Sequence, residues 1–217
     1  EADNYLRKLG LVATFEQTTN ELESIELEAA ILSSNDAGSL FIEGSNSSLD
    51  SSSATQAYRQ DHDGLGAYFA AHYGIKNHTL GLTVSQFGDT WIEDNFDGDH
   101  GTTPFPTRTF GPELTNKNET VWLADYKYSW KLGSLRGLST KLAYAKGIGA
   151  ENSIGRELGQ ARENWWYAEL RYRAPWANGF ETRARYRDYQ SHISGEVVGV
   201  ASNRSELRLD ISYKLTF

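Results

Sequence analysis

Alternating apolar and polar residues fill the last segment of the chain, Ser205–Phe217. Apolar or aromatic residues occupy every second position from Leu207 to Phe217, and charged or polar residues lie between them. Because side chains of a β-strand alternate between its two faces, this pattern predicts a strand with one apolar and one polar face. Its length of roughly eleven residues suits a tilted membrane-spanning strand, although a half-buried strand of a soluble sheet shows the same alternation.

Eight further segments carry related alternation, which predicts about nine strands in all. They are Tyr5–Glu16, Ile25–Leu32, Leu65–Ile75, Leu80–Phe87, Val121–Trp130, Leu138–Lys146, Trp165–Arg173 and Phe180–Tyr189. Short turns and long polar loops are expected to alternate between them, as in bacterial outer-membrane barrels. The sequence therefore predicts an all-β fold, a single transmembrane antiparallel β-barrel region over residues 1–217. The inward positions of the Leu65–Phe87 pair are unusually small: Gly66, Ala70, Gly81, Thr83 and Ser85.

An odd number of strands raises a problem of closure. In an antiparallel meander of nine strands, the first and last run in the same direction, and bacterial barrels have even strand numbers. Either a strand near Leu40–Ile42 or Thr107–Leu114 has been overlooked, or the chain is part of a larger barrel. In the second case both edges must pair with strands outside these residues, since unsatisfied backbone groups are not tolerated in lipid.

Composition favours a barrel over a soluble sheet. Aromatic residues make up 12% of the chain, and the formal net charge is −8. A barrel with a water-filled lumen needs apolar residues on its outer face and aromatic girdles at both interfaces. We expect Trp122, Trp130, Trp166, Trp176 and Tyr213 at those interfaces.

Several classes of function are disfavoured by the same data. The acidic balance argues against nucleic-acid binding, and the absence of cysteine excludes disulfides and thiolate metal sites. No cofactor is predicted. No signal peptide precedes Glu1, from which we expect a mature or excised product.

Two local features suggest other chemistry only weakly. The stretch Asp94–Asp99 is superficially similar to a calcium loop, but the EF-hand spacing and the closing glutamate are absent, so a solvated acidic turn is the alternative. A barrel hydrolase would need Ser, His and an acid or amide within reach of one another. The chain has five histidines: His62, His72, His78, His100 and His192. Most of them fall in predicted loops or turns, and no serine signature lies near His72. No catalytic residue is therefore predicted.

An ordered set of segments resembles the OprD family of outer-membrane porins, which includes chitoporin-like members. The set comprises the paired strands Leu65–Phe87, then Phe87-Gly88-Asp89-Thr90, Thr103-Pro104-Phe105-Pro106, Lys117–Trp122 with Tyr126, Leu135-Arg136-Gly137-Leu138, the strand ending at Tyr144, and Glu206-Leu207-Arg208-Leu209. The resemblance implies a monomeric eighteen-stranded barrel, of which this chain matches the C-terminal half. It also implies a partner: a missing N-terminal half, which in the family contributes a pore-constricting loop, or a second chain that supplies it.

Basic residues form the strongest candidate site. Alternation places them on the inward face of neighbouring strands: Arg171, Arg173, Arg183, Arg185, Arg187, Arg208, Lys214 and Lys127. A column of cations in a water-filled lumen would attract anions and let them pass from site to site. The resemblance implies the same device, the basic ladder of the family.

Acidic residues occupy inward positions as well: Glu26, Glu28, Asp125, Glu169, Glu181 and Asp210. An alternative interpretation is that the arginines merely pair with Glu169, Glu181 and Asp210 and hold the wall rigid. Glu26 and Glu28 lie several strands away, where we expect them to oppose the basic wall and set a transverse field across the pore.

The sequence thus predicts a porin or channel of the bacterial outer membrane, in contact with lipid, for diffusion of small polar or anionic solutes. An adhesion or binding barrel that works through the serine-rich and acidic loops is the alternative, followed by a barrel hydrolase. The solute is left open, because relatives implied by the resemblance handle carboxylates, basic amino acids, peptides and chito-oligosaccharides.

Overall fold

The computed structural model describes residues 6–20, 23–36, 63–88, 104–107, 114–131, 133–151, 159–177, 179–195 and 203–214. Within them lie nine strands: β1 Leu6–Asn20, β2 Glu23–Asp36, β3 Asp63–Ile75, β4 His78–Phe87, β5 Thr120–Ser129, β6 Leu138–Glu151, β7 Gly159–Arg173, β8 Phe180–Gly195 and β9 Arg204–Tyr213. A short 3₁₀ turn, Gly133–Leu135, precedes β6. Within the described part of the chain, no helix has the length and apolar character needed to cross a membrane.

All nine strands form one sheet in the order of the sequence, and every neighbouring pair is antiparallel. Among the described residues, β1 and β9 pair with β2 and β8 only, so the sheet is not closed. The predicted antiparallel meander of about nine strands is therefore confirmed. Of the two places where a further strand was considered, Leu40–Ile42 lies outside the described residues, as does most of Thr107–Leu114.

The expected alternation of short and long connections holds only in the first half of the chain. Residues 21–22 and 76–77 form short connections, and residues 37–62 and 88–119 form long ones. In the second half, the connections 130–137, 152–158, 174–179 and 196–203 differ little in length. The reason is that β7 and β8 run for 15 and 16 residues, well beyond the predicted strands. The outward positions of the β7 extension are polar, as at Arg162 and Asn164. The sequence there therefore lacks the apolar–polar alternation that would have predicted a strand.

The sheet has two chemically distinct faces. On the outer face large apolar side chains are exposed, for example Leu82 at 54% and Leu142 at 56%. On the inner face their sequence neighbours Thr83 and Ala143 are buried at 1% and 4% exposure. Alternation in the sequence thus assigned the faces as predicted, because successive side chains of a strand point to opposite sides.

Aromatic residues lie near both ends of the outer face. Trp122 is half exposed near the start of β5, the end that follows a long connection. Trp166 is half exposed at the midpoint of β7, where its ring lies 4.5 Å from that of Tyr144. Trp130, Trp176 and Tyr213 lie at the opposite ends. Trp122 and Trp130 are separated along the chain by about 26 Å at ~3.3 Å per residue. A strand tilt of 35–45° brings this to roughly 20 Å, close to the ~25 Å apolar band of outer-membrane barrels.

Candidate pore-lining site

Charged side chains form a transverse row on the inner face. Cα partners in the sheet join Lys127 to Lys141, Lys141 to Glu169, Glu169 to Arg185 and Arg185 to Arg208. The row therefore crosses β5–β9 along the direction of the hydrogen bonds between strands. Alternation in the sequence predicted a basic column but not this row, because the relative height of residues on different strands depends on register.

This row lines a cleft of about 600 Å³. Arg171 and Arg183 face the same cleft from one row nearer the short turns, and Pro106 of the β4–β5 connection also lines it. The remaining lining residues are Leu123, Ser139, Ala143, Trp165 and Tyr167. Among the described lining residues, Glu169 is the only acid, so the cleft carries a strong positive charge.

Carboxylates separate the arginines of the wall. Arg171 lies opposite Arg183 and Arg185 opposite Arg208 in the register, an arrangement that is destabilising without compensation. The compensating ion pairs join Arg183 Nη2 to Glu169 Oε2 at 2.7 Å, Arg185 Nη2 to Asp210 Oδ2 at 2.5 Å, Arg171 Nε to Glu181 Oε1 at 3.3 Å and Arg173 Nε to Glu181 Oε2 at 2.7 Å. The acids expected as partners in the bracing interpretation are thus the ones that contact these guanidinium groups.

Three of the predicted basic residues do not line this cleft. Arg187 is fully buried, and its Nη2 lies 2.5 Å from Glu206 Oε2. Arg173 and Lys214 lie near the short turns, where they line a second cleft of about 700 Å³ with Arg136 and Glu181. The basic residues therefore span the wall from the row to the end that carries the short turns.

The other predicted acids lie further along the inner face. Tyr68 donates a 2.5 Å hydrogen bond from its hydroxyl to Glu28 Oε1, and Glu26 is the register partner of His72. Asp125 lies between a lysine and a histidine: its Oδ1 is 3.5 Å from Lys141 Nζ and its Oδ2 is 3.7 Å from His72 Nε2. Of the predicted acids, only Glu26 and Glu28 lie on a strand away from the basic wall, on β2; the others, Asp125, Glu169, Glu181 and Asp210, lie on the same strands as its cations.

An apolar cluster on the inner face is a feature that sequence reasoning missed. Phe105, in the β4–β5 connection, is 1% exposed, and its ring centroid lies 4.7 Å from that of Phe87 and 5.9 Å from that of Tyr68. A Cβ at Gly66 would lie 2.3 Å from Phe105 Cζ. The small inward residues of β3 and β4 thus leave room for this ring, and they were the signal that a segment packs against them.

Buried polar residues hold the end of the same connection. The Asn116 side chain donates to Glu163 Oε1 at 2.6 Å, its backbone amide donates to Glu119 Oε2 at 3.0 Å, and the Tyr189 hydroxyl donates to Glu163 Oε2. Burial of the Glu119 carboxyl and the nearby Glu163 carboxylate hold the pKa of Glu119 well above its usual range. The segment before β5 is therefore attached to the wall through Asn116, which is hydrogen-bonded to both Glu119 and Glu163.

Little in the described residues supports catalysis or metal binding. His72, His78 and His192 lie in strands rather than in loops or turns, whereas His62 and His100 fall outside the described residues. No serine hydroxyl is hydrogen-bonded to His72 within the described ranges. The similarity to a calcium loop at 94–99 lies outside them as well, and a search of the described residues finds no cluster of three potential metal ligands.

Comparison with solved structures identifies the fold. The neighbours are outer-membrane porins of the OprD/Occ family. OccAB3 of Acinetobacter baumannii has a TM-score of 0.69 at 20% identity, over 98% of this chain and 49% of OccAB3. OccK10 (OpdN) of Pseudomonas aeruginosa has a TM-score of 0.72 at 18% identity, over 99% of this chain and 54% of OccK10. OpdK of the same organism, solved with vanillate, has a TM-score of 0.70 at 18% identity, over 98% of this chain and 50% of OpdK.

These similarities confirm the resemblance to the OprD family at the level of fold. The chain has the architecture of about half of an OprD-type, eighteen-stranded barrel, because it spans only about half the length of the structures it matches. Neither the protein-family models nor the curated protein sequences gave a match.

We predict that Phe105→Ala detaches the β4–β5 connection from the inner face. Truncation of a buried Phe typically costs about 3–5 kcal/mol, and here the loss falls on one segment. Hydrogen–deuterium exchange of a peptide that contains residue 105 and Thr107 should become faster, with little change in the strands; these two amides are the reporters, because Pro104 and Pro106 have no amide hydrogen. Phe69→Ala, on the outer face of β3, is the matched control and should leave this peptide protected. Equal exchange in both variants would contradict the anchoring role.

The Glu119 carboxyl predicts a dependence of stability on pH. Because its pKa is raised in the folded protein, its stabilising contribution is complete below the unfolded pKa of about 4.3 and is lost as pH rises through the folded pKa. We expect the thermal midpoint to fall as pH rises above the unfolded pKa of Glu119, and Glu119→Gln, which keeps a neutral acceptor, to reduce that fall. An unchanged slope in the variant would show that other groups cause it.

Proposed function

We propose that this chain forms half of a bacterial outer-membrane porin through which small anionic or polar solutes diffuse. The observation that carries the proposal is the row of cationic side chains on the inner face across β5–β9. In a closed barrel the inner face borders the lumen, and water screens repulsion between neighbouring cations. The OprD-type fold supports this placement, and one structural neighbour was solved with vanillate, a carboxylate.

The proposed conduction mechanism uses the cations as a series of weak sites. An anion enters the positive cleft, contacts the exposed guanidinium and ammonium groups, and moves between adjacent groups towards Arg173 and Lys214 at the short-turn end. Binding must be strong enough to draw the solute in and weak enough to release it. The ion pairs with Asp210 and Glu181 keep solute binding weak, because these carboxylates already occupy some of the hydrogen-bond donors of the arginines.

Acidic residues on β2 extend the proposal to selectivity. Glu26 and Glu28 lie on the inner face several strands from the basic row. In a closed barrel they would face it across the lumen and set a transverse field. Such a field orients a solute that carries charges of both signs, because its energy depends on the direction of its dipole.

Closure of the barrel requires strands beyond this sheet. Apolar residues of the two edge strands are more exposed than those of the central strands: Leu11 at 75% and Leu207 at 78%, against Leu82 at 54%. Each open edge is also a row of unpaired backbone groups, and each such group costs several kcal/mol in lipid. We therefore infer that β1 and β9 each pair with a strand outside these residues, from an N-terminal half or a second chain.

The channel proposal predicts anion selectivity. In planar lipid bilayers, the barrel reconstituted with its missing half should give, under a KCl gradient, a reversal potential of the sign produced by chloride permeation. Arg185→Gln with Arg208→Gln should lower the chloride preference by roughly two- to ten-fold, because two charges of the row are lost. Lys146→Gln, an exposed residue that is the register partner of Trp122 on the outer face, is the control and should change nothing. A pore without ion preference would refute the anion channel.

The edge proposal predicts a pattern of cross-links, which the absence of native cysteine makes simple to read. Ala184→Cys with Leu209→Cys, register partners on β8 and β9, should form a disulfide in the folded protein. Leu11→Cys with Leu209→Cys should not, because β1 and β9 are expected to border different strands. Efficient cross-linking of the second pair within one polypeptide would indicate a small, self-closed barrel instead.

A further inference from the structure

Glu169 differs from the other acids of the basic wall. Glu181 and Asp210 pair with arginines of the cleft from outside it, whereas Glu169 is the only acid among the described residues that line it. Six cationic side chains share that lining: Lys127, Lys141, Arg171, Arg183, Arg185 and Arg208. Among the described lining residues, one carboxylate that belongs to the protein therefore lies within a cleft whose charge suits carboxylate solutes.

The contacts of Glu169 are those that a bound carboxylate would make. Its Oε2 accepts hydrogen bonds from the Tyr167 hydroxyl at 2.6 Å and from Arg183 Nη2 at 2.7 Å. Its Oε1 lies 3.5 Å from Arg171 Nε. In the register its neighbours on either side are Lys141 and Arg185. The side chain is only 11% exposed, so it is held in the wall by these groups.

We propose that Glu169 is a tethered counter-anion that determines how long the cleft retains an anionic solute. A solute carboxylate that reaches the row competes with Glu169 for the guanidinium groups of Arg183 and Arg171. The internal carboxylate thereby weakens solute binding and shortens its residence, as conduction requires. This inference rests on the proposed function as an anion pore, and it assigns to one residue the setting of affinity within that pore.

A purely structural role for Glu169 predicts a different result. If Glu169 only braced the wall against repulsion between Arg171 and Arg183, its removal would loosen the wall and leave the cleft no better at holding anions. If it is a counter-anion, its removal frees charge-assisted hydrogen-bond donors for the solute. Residence time of a carboxylate therefore separates the two roles.

The test uses single-channel recording of the closed barrel, reconstituted together with the half that supplies the remaining strands, with succinate, a small dicarboxylate, as the blocking probe. In Glu169→Gln we expect succinate blocks to last about ten-fold longer than in the wild type, since one charge-assisted competitor is lost. Glu169→Asp should remain within about two-fold of the wild type, because the charge is kept. Asp188→Asn removes an equal charge on the outer face of β8, where Asp188 is the register partner of Trp166, and should leave block duration unchanged.

A second background keeps the test decisive if Glu169→Gln alone does not fold. Arg183→Gln removes the cation with the shortest contact to Glu169 and relieves repulsion in the wall. Addition of Glu169→Gln to Arg183→Gln should again lengthen succinate blocks, by a factor set by Arg171 and the remaining cations. The two backgrounds together form a double-mutant cycle that measures the coupling of the pair.

The outcomes separate this inference from the proposed function. A wild-type pore that lacks anion selectivity would overturn the anion channel and this inference with it. A wild-type pore that is anion-selective, with blocks in Glu169→Gln no longer than in the wild type and in Asp188→Asn, would overturn only the counter-anion role. Shorter blocks in Glu169→Gln would show that the residue helps to hold solute, the opposite of what we propose.

Discussion

Satisfaction of backbone hydrogen bonds in lipid is the constraint on which this structure depends. The interior strands of the sheet are hydrogen-bonded on both sides, but β1 and β9 each leave one side open among the described residues. In water such edges are tolerable, whereas in a bilayer they are not. The odd number of strands and the match to about half of each porin structure agree with this requirement, because both leave the sheet without the strands that would close it.

Inside the sheet, the same alternation that gives lipid an apolar surface leaves the other face free for charge. Arg185 and Arg208 are direct neighbours, which a dry protein core would not accept without close compensation. The wall carboxylates compensate part of that charge, and the water-filled lumen proposed above would screen the rest. The packing of Phe105 against Gly66 adds a second use of the inner face, because it holds part of a long connection beside the charged row.

Much of this architecture was predictable from the sequence, and the failures have physical causes. Alternation identified nine strands and their faces, since period two is set by the backbone itself. It gave the inward position of Glu169 but not its neighbours Lys141 and Arg185, because register depends on turns that local patterns do not specify. Nor did it predict the burial of Arg187 or the carboxyl pair Glu119 and Glu163, which depend on where a long connection returns to the wall.

The most direct test of the account is the solvent that each face of β6 meets. Ser139→Cys places a thiol on the inner face beside the charged row, and Leu142→Cys places one on the outer face of the same strand. With the protein in lipid vesicles, a water-soluble maleimide should label position 139 readily and leave position 142 largely unmodified. Equal labelling of both positions, or preferential labelling of position 142, would contradict a water-filled lumen enclosed by a lipid-facing wall.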